Sequence, residues 1–146
     1  LFKANDCLAS KGFQQMKISI DNKILDFYNT HLDAGNSDSD FMVRELQIIH
    51  LLNYIKDKSE SRSILLVGDL NINYLVDTEL HLIDLLRKQI GLSLVNWFED
   101  DTNQSEVLDY ILYRDMDLHQ KEFGINKALD GLSDHPPIES RFILIE

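Results

Sequence analysis

The run Ile64-Leu65-Leu66-Val67-Gly68-Asp69-Leu70-Asn71-Ile72-Asn73 limits what this chain can fold into more than any other stretch. Four apolar residues, Ile64 to Val67, read as a short strand buried on both faces, and a glycine then ends the run. One carboxylate and two carboxamides follow at once. Loops at the ends of core strands are where rigid scaffolds hold reactive groups, and the alternation of Asp69 with Asn71 directs both toward one pocket. A plain Asp/Asn turn after a buried strand explains the same residues. The remainder of the chain has to decide between the two.

Before this strand, residues 9–20 alternate partly, with Phe13, Met16, Ile18 and Ile20 against Gln15, Lys17 and Ser19, which predicts a half-buried strand. Asp21-Asn22 supplies a turn, and residues 24–30 pair back as the second arm of a hairpin that delivers His31 at its end. A polar loop from Asp33 to Asp40 precedes an amphipathic helix over Phe41 to Lys58. Its apolar face is expected at Val43, Leu46, Ile49, Leu52 and Ile55, with Ser39 or Asp40 as cap. Arg44 and Gln47 share one face of that helix and are placed to brace the loop after His31. After the central strand, Leu82, Ile83, Leu85, Leu86 and Ile90 predict a helix from about Thr78 to Ile90, stopped by Gly91.

Residues 92–97 then lead into an acidic loop, residues 99–106. Three further strands are expected at 107–113, 118–125 and 138–145, the last two separated by Leu132-Ser133-Asp134-His135-Pro136-Pro137. Helix, strand and helix in succession indicate an α/β layer, and no repeat or domain boundary interrupts it. A single domain over residues 1–146 is therefore expected.

Composition narrows the function. Twenty-five acidic against fourteen basic residues give a net charge of −11, which disfavours sequence-independent attraction to nucleic acid, although a nuclease remains an alternative. The lone Cys7 excludes an internal disulfide framework and a multi-cysteine zinc site. No apolar run approaches the roughly 20 residues of a transmembrane helix, so a soluble cytoplasmic or secreted protein is expected. Trp97-Phe98 beside the acidic loop offers peripheral membrane contact or, more simply, core packing. His50, His81 and His119 have no carboxylate or cysteine partner at ligand spacing and read as surface or packing residues. Lys11 lies near a strand start, where a phosphate or solvent would meet it.

Four polar clusters sit at predicted strand ends: His31, Asp69 with Asn71, Asp109, and Asp134 with His135. Each has a structural explanation by itself. Together they supply a carboxylate to orient a histidine, a histidine to activate water, hydrogen-bond donors for oxygens gaining charge, and a carboxylate suited to a hard cation such as Mg²⁺. That inventory fits hydrolysis of a phosphate ester.

Asn29-Thr30-His31-Leu32, Gly68-Asp69-Leu70-Asn71, Leu108-Asp109-Tyr110 and Ser133-Asp134-His135-Pro136, in this order, resemble the C-terminal motif set of the endonuclease/exonuclease/phosphatase superfamily. With Lys11-Gly12-Phe13 upstream, the pattern is most similar to the neutral-sphingomyelinase-like branch. The resemblance implies the C-terminal part of a four-layer α/β/β/α sandwich with mixed, largely antiparallel sheets. It also implies Mg²⁺-dependent, with Mn²⁺ as alternative, in-line attack of water on a phosphodiester or phosphomonoester, the substrate being a phospholipid or a small organic phosphate.

Carried over motif by motif, His135 would activate the water and Asp109 would orient His135. Asp69 would position the nucleophile or handle the leaving-group proton, and either Asp69 or His135 would be the base. Asn71 and His31 would hold phosphoryl oxygens, with Asp134 at or near the metal. The superfamily's early strand-end Asn and metal-binding Glu have no counterpart before Ser10, so the domain is expected to be N-terminally incomplete. Residues 1–146 alone are then expected to be weakly active or inactive, and a non-catalytic interaction module is the reading from a different class.

Overall fold

The computed structural model describes residues 10–95, 106–114, 118–129 and 131–144. Cys7, Trp97-Phe98 and nearly all of the acidic loop lie outside them. The described chain forms a mixed α/β fold with two sheets and two long helices. Strands β1 (Phe13–Ile20) and β2 (Lys23–His31) form a hairpin, followed by helix α1 (Asp38–Lys58) and strand β3 (Ser63–Asp69). Helix α2 (Leu80–Ile90), β4 (Ser93–Leu94), β5 (Asp109–Arg114), β6 (Leu118–Ile125) and β7 (Ile138–Leu144) complete the order. The larger sheet runs β1-β2-β3-β5-β4, and β6-β7 form a two-stranded one.

Local chemistry explains the boundaries. Asp21 and Asn22 both take positive φ, 49° and 64°, the conformation a two-residue hairpin turn demands and Asn and Asp tolerate. Because β2 and β3 are parallel, the chain must cross over between them, and α1 is that crossover. The helix starts one turn earlier than the sequence indicates. Ser37 is the cap: its hydroxyl accepts from the Asp40 backbone N–H, while the Asp40 side chain accepts from the Ser37 N–H. Asp40 is thus the third helical residue of a capping box, and neither Ser39 nor Asp40 is the cap. Gly91, with φ 67° and ψ 39°, ends α2 as expected.

The apolar stripe expected for α1 is corrected as well. Residues spaced by three fall short of a full turn by about 60° at each step, so such a row walks around the helix. Val43, Leu46 and Ile49 are exposed, and the buried face is Arg44, Ile48, Leu51, Leu52 and Ile55. This face packs with Leu82, Ile83, Leu86 and Ile90 of α2 onto Tyr28, Ile64, Leu66, Tyr110 and Leu112, which share one side of the larger sheet. Each such aliphatic side chain taken from water contributes about 1.5–3 kcal/mol before entropy is counted. The sheet's other side meets the smaller sheet through the edge-on Tyr113–Phe142 pair, 5.1 Å between centroids, and through Val107 against Ile125 and Ile138.

Candidate active site

Register places the site. His31 lies opposite Asp69 across β2–β3, and Asp69 lies opposite Asp109 across β3–β5. Three of the residues singled out from sequence therefore form one row across three adjacent strands, on the face away from the helices. Close approach of β2 and β3 just before this row depends on Gly68. Its φ is 138°, and a Cβ there would stand 1.9 Å from the Thr30 carbonyl oxygen. Only glycine fits this position.

The chain then turns so that Asn71, itself at φ 51°, donates its backbone N–H to the Asp69 carboxylate at 2.8 Å and one Nδ2 proton to the Leu32 carbonyl at 3.0 Å. The segment after Asp69 is tied to the start of β5 by three further bonds. The Leu70 N–H donates to the Leu108 carbonyl at 2.9 Å, the Tyr74 N–H donates to the Val107 carbonyl at 3.0 Å, and the Tyr110 hydroxyl donates to the Ile72 carbonyl at 2.5 Å. Tyr110 is a supporting residue that the motif reading passed over, although a phenol in a core strand signals a buried partner. The loop after His31 is fixed from α1. Arg44 donates to the Asp33 and Gly35 carbonyls, and Gln47 accepts from the Asp33 N–H at 2.9 Å, as their shared helix face predicted. Behind them Arg44 forms a buried two-point ion pair with Glu79, at 3.1 and 3.0 Å.

His135 arrives from the loop before β7. Its Nδ1 lies 2.7 Å from Asp109 Oδ2 and 3.9 Å from Asp69 Oδ2. With Nδ1 as donor to the carboxylate, the acceptor nitrogen is Nε2. Partial burial lowers the basicity of His135, but the hydrogen bond and charge of Asp109, then the charges of Asp69 and Asp134, outweigh it and raise its pKa. Asp109 is also raised, by burial first and by facing Asp69, against the opposing effect of His135. His31 Nε2 lies 3.4 Å from the same Asp69 oxygen that faces His135. The five side chains thus form one cluster with a histidine at each flank of Asp69.

Asp134 does not join them by contact. It is exposed, and its carboxylate accepts from the Ser133 hydroxyl at 3.1 Å, a bond that holds its pKa below the usual range. Among the described residues no group of three or more His, Cys, Asp or Glu side chains is arranged to hold a metal ion. Asp134 and its neighbours by themselves do not provide the near-octahedral oxygen shell Mg²⁺ requires. His50, His81 and His119 are all exposed, and the His50 ring meets Phe13 edge-on at 5.9 Å. No described helix is long and apolar enough to cross a membrane.

No family model matches the sequence, and no curated protein does. Solved structures do match by shape. A beta toxin from Staphylococcus aureus aligns at TM-score 0.64 and 21% identity over 90% of this chain and 57% of its own. The human Nocturnin catalytic domain aligns at 0.67 and 20% over 90% and 52%, and an endonuclease/exonuclease/phosphatase from Beutenbergia cavernae at 0.76 and 14% over 92% and 40%. The chain spans 40–57% of the length of these structures. Its fold is thus similar to a portion of these structures, a mixed α/β arrangement of the DNase I-like kind.

Proposed function

We propose that the natural protein is a phosphoric ester hydrolase that cleaves a phosphodiester or phosphomonoester by in-line attack of an activated water. The observation that carries this reading is the 2.7 Å His135–Asp109 contact beside the row His31, Asp69, Asp109. In this reading Asp109 holds the His135 ring so that Nε2 faces the water and takes its proton, the orienting arrangement of a triad with water as nucleophile. Asp69 shares the proton work, positioning the water or handling the leaving oxygen. His31 and the second Nδ2 proton of Asn71 donate to phosphoryl oxygens as charge builds on them.

Mg²⁺ dependence, with Asp134 at or near the metal, belongs to the same proposal. One matching beta toxin structure is described with bound magnesium ions, and another matching structure is a mannosyl-6-phosphatase from Bacteroides thetaiotaomicron. Since the described residues do not complete a Mg²⁺ shell, the other ligands would come from outside them, and no step above runs through the metal.

The test is a substrate panel on the full-length natural protein: sphingomyelin, other phospholipids, nucleic acid and phosphomonoesters, with Mg²⁺ and with chelator. Hydrolysis of one ester class that chelator abolishes is expected. Chelator-insensitive hydrolysis removes the metal, and uniform inactivity favours a non-catalytic interaction module.

A further inference from the structure

Two hollows flank the catalytic row, and they differ in chemistry. One of about 450 Å³ adjoins His31 and includes Lys11. The other, about 490 Å³, opens beside Asn71, between the loop after His31 and the segment that follows Asp69. Asn71 belongs both to the catalytic cluster and to this second wall. A group attached to a phosphorus held at Asn71 therefore reaches the second hollow.

Its wall is rich in neutral hydrogen-bonding groups. Asn36, Asn71 and Asn73 contribute carboxamides and Thr78 a hydroxyl, around the ring of Phe41. Asn73 Oδ1 already accepts from the Leu75 and Val107 N–H groups at 3.1 and 3.2 Å, so its Nδ2 protons are what it can offer. Among the described residues no lysine or arginine lines the hollow. Arg44 lies behind it at 1% exposure, with four of its five N–H donors bonded to Glu79 and to the Asp33 and Gly35 carbonyls. Of the two described carboxylates in the wall, Glu79 is neutralised by that pair and Glu106 adds a negative charge.

A second phosphate placed here would meet no cation and one unfavourable carboxylate, whereas phosphate recognition elsewhere relies on Arg, Lys or backbone N–H groups. A hydrocarbon chain would leave carboxamides and a hydroxyl unpaired, which costs binding energy for every group it desolvates. A flexible molecule bearing several hydroxyls satisfies both conditions, donating to and accepting from the amides while one face rests on Phe41.

We infer that this hollow is the specificity subsite for the alcohol portion of the ester, and that it selects an uncharged, hydroxyl-rich alcohol such as a sugar or polyol. The inference rests on the phosphoesterase reading and names its substrate class.

The experiment compares kcat/KM of the full-length natural protein for mannitol monophosphate, n-hexyl phosphate and the symmetric mannitol bisphosphate with a phosphate at each end. Phenyl phosphate and its methyl diester report the chemistry alone. Mannitol monophosphate is expected to exceed the hexyl ester and the bisphosphate by about tenfold or more. Asn36→Leu should raise KM for mannitol monophosphate by more than KM for n-hexyl phosphate, so that the preference between the two narrows. Thr78→Lys should recover the bisphosphate. Equal or better use of the hexyl ester, or of the bisphosphate by the unmodified protein, overturns the assignment while leaving the hydrolase reading intact.

If no ester of this set or of the substrate panel is cleaved, the hydrolase reading fails and the subsite is judged by NMR titration. Shifts at the Asn36 and Thr78 amides with mannitol monophosphate but not hexyl phosphate support it. Equal shifts, or none, overturn it.

Discussion

The two ends of the larger sheet both hold carboxylates on β2, β3 or β5, and they treat them in opposite ways. At the Ser63 end, Asp26 is fully buried and closed off by donors. Gln15 Nε2 reaches Oδ1 at 3.2 Å, and the Ser59 hydroxyl and Arg62 Nε both reach Oδ2 at 2.5 Å. Around it, Arg114 donates to the Arg62 and Ser59 carbonyls and the Tyr28 hydroxyl bonds Ser59 at 2.7 Å. At the other end, Asp69 and Asp109 lie opposite one another, partly open to solvent, with the Asn71 N–H and the His31 and His135 rings beside them. Like charges facing across a pair of strands destabilise it, and burial without full compensation raises a carboxylate's pKa. One end therefore has its charge cancelled for stability, and the other keeps unsettled protons beside an opening. That contrast, more than the presence of acidic residues, distinguishes the end where we propose the site.

Substitutions sharpen it. The largest effect is expected for Asp109→Asn in the full-length natural protein. Turnover of its best ester should fall by about ten-thousandfold, with the thermal midpoint nearly unchanged, because an amide no longer fixes the His135 tautomer. A large drop in midpoint with normal specific activity would make Asp109 the counterpart of Asp26. Gly68→Ala should follow, at about 3–4 kcal/mol of stability by urea unfolding, since β2 and β3 must part to admit the methyl group.

Asp26→Asn should cost about 2–3 kcal/mol, a figure reduced for the partial exposure of Arg62, while activity per folded molecule stays constant. Loss of activity without loss of stability would erase the distinction between the two ends. The smallest effect belongs to Leu46→Gln on the outer face of α1, expected within about 0.5 kcal/mol. A loss comparable to that of a core leucine would restore the stripe that residue spacing suggested.

The comparison also explains what residues alone could reveal. The β2–β3–β5 row was legible because each member sits at the end of an apolar run, and Asn29 to Leu32, Gly68 to Asn71 and Ser133 to Pro136 are short local patterns. The hairpin turn and the Gly91 stop were legible for the same reason: backbone conformation there is decided by one or two residues. Asp26 was not, because its partners come from two other segments, Gln15 on β1 and Ser59 and Arg62 in the connection between α1 and β3. Nor was the Arg44–Glu79 pair, which links positions 35 residues apart. The misread face of α1 has another cause. Its outward side carries Met42, Val43, Leu46 and Ile49, so hydrophobicity alone does not distinguish inside from outside.

The five clustered side chains come from positions 31, 69, 71, 109 and 135, and none lies near another in sequence except Asp69 and Asn71. Activity is then a long-range property of the chain, as a contact between distant strands is. Detaching β5 from β3 or releasing the loop that carries His135 would separate the members of the cluster while α1 and the β1–β2 hairpin remained formed. Catalytic competence should therefore disappear in a sub-global opening well before helical signal does, so that inactivation reports the least stable cooperative unit of the molecule and circular dichroism the most stable one.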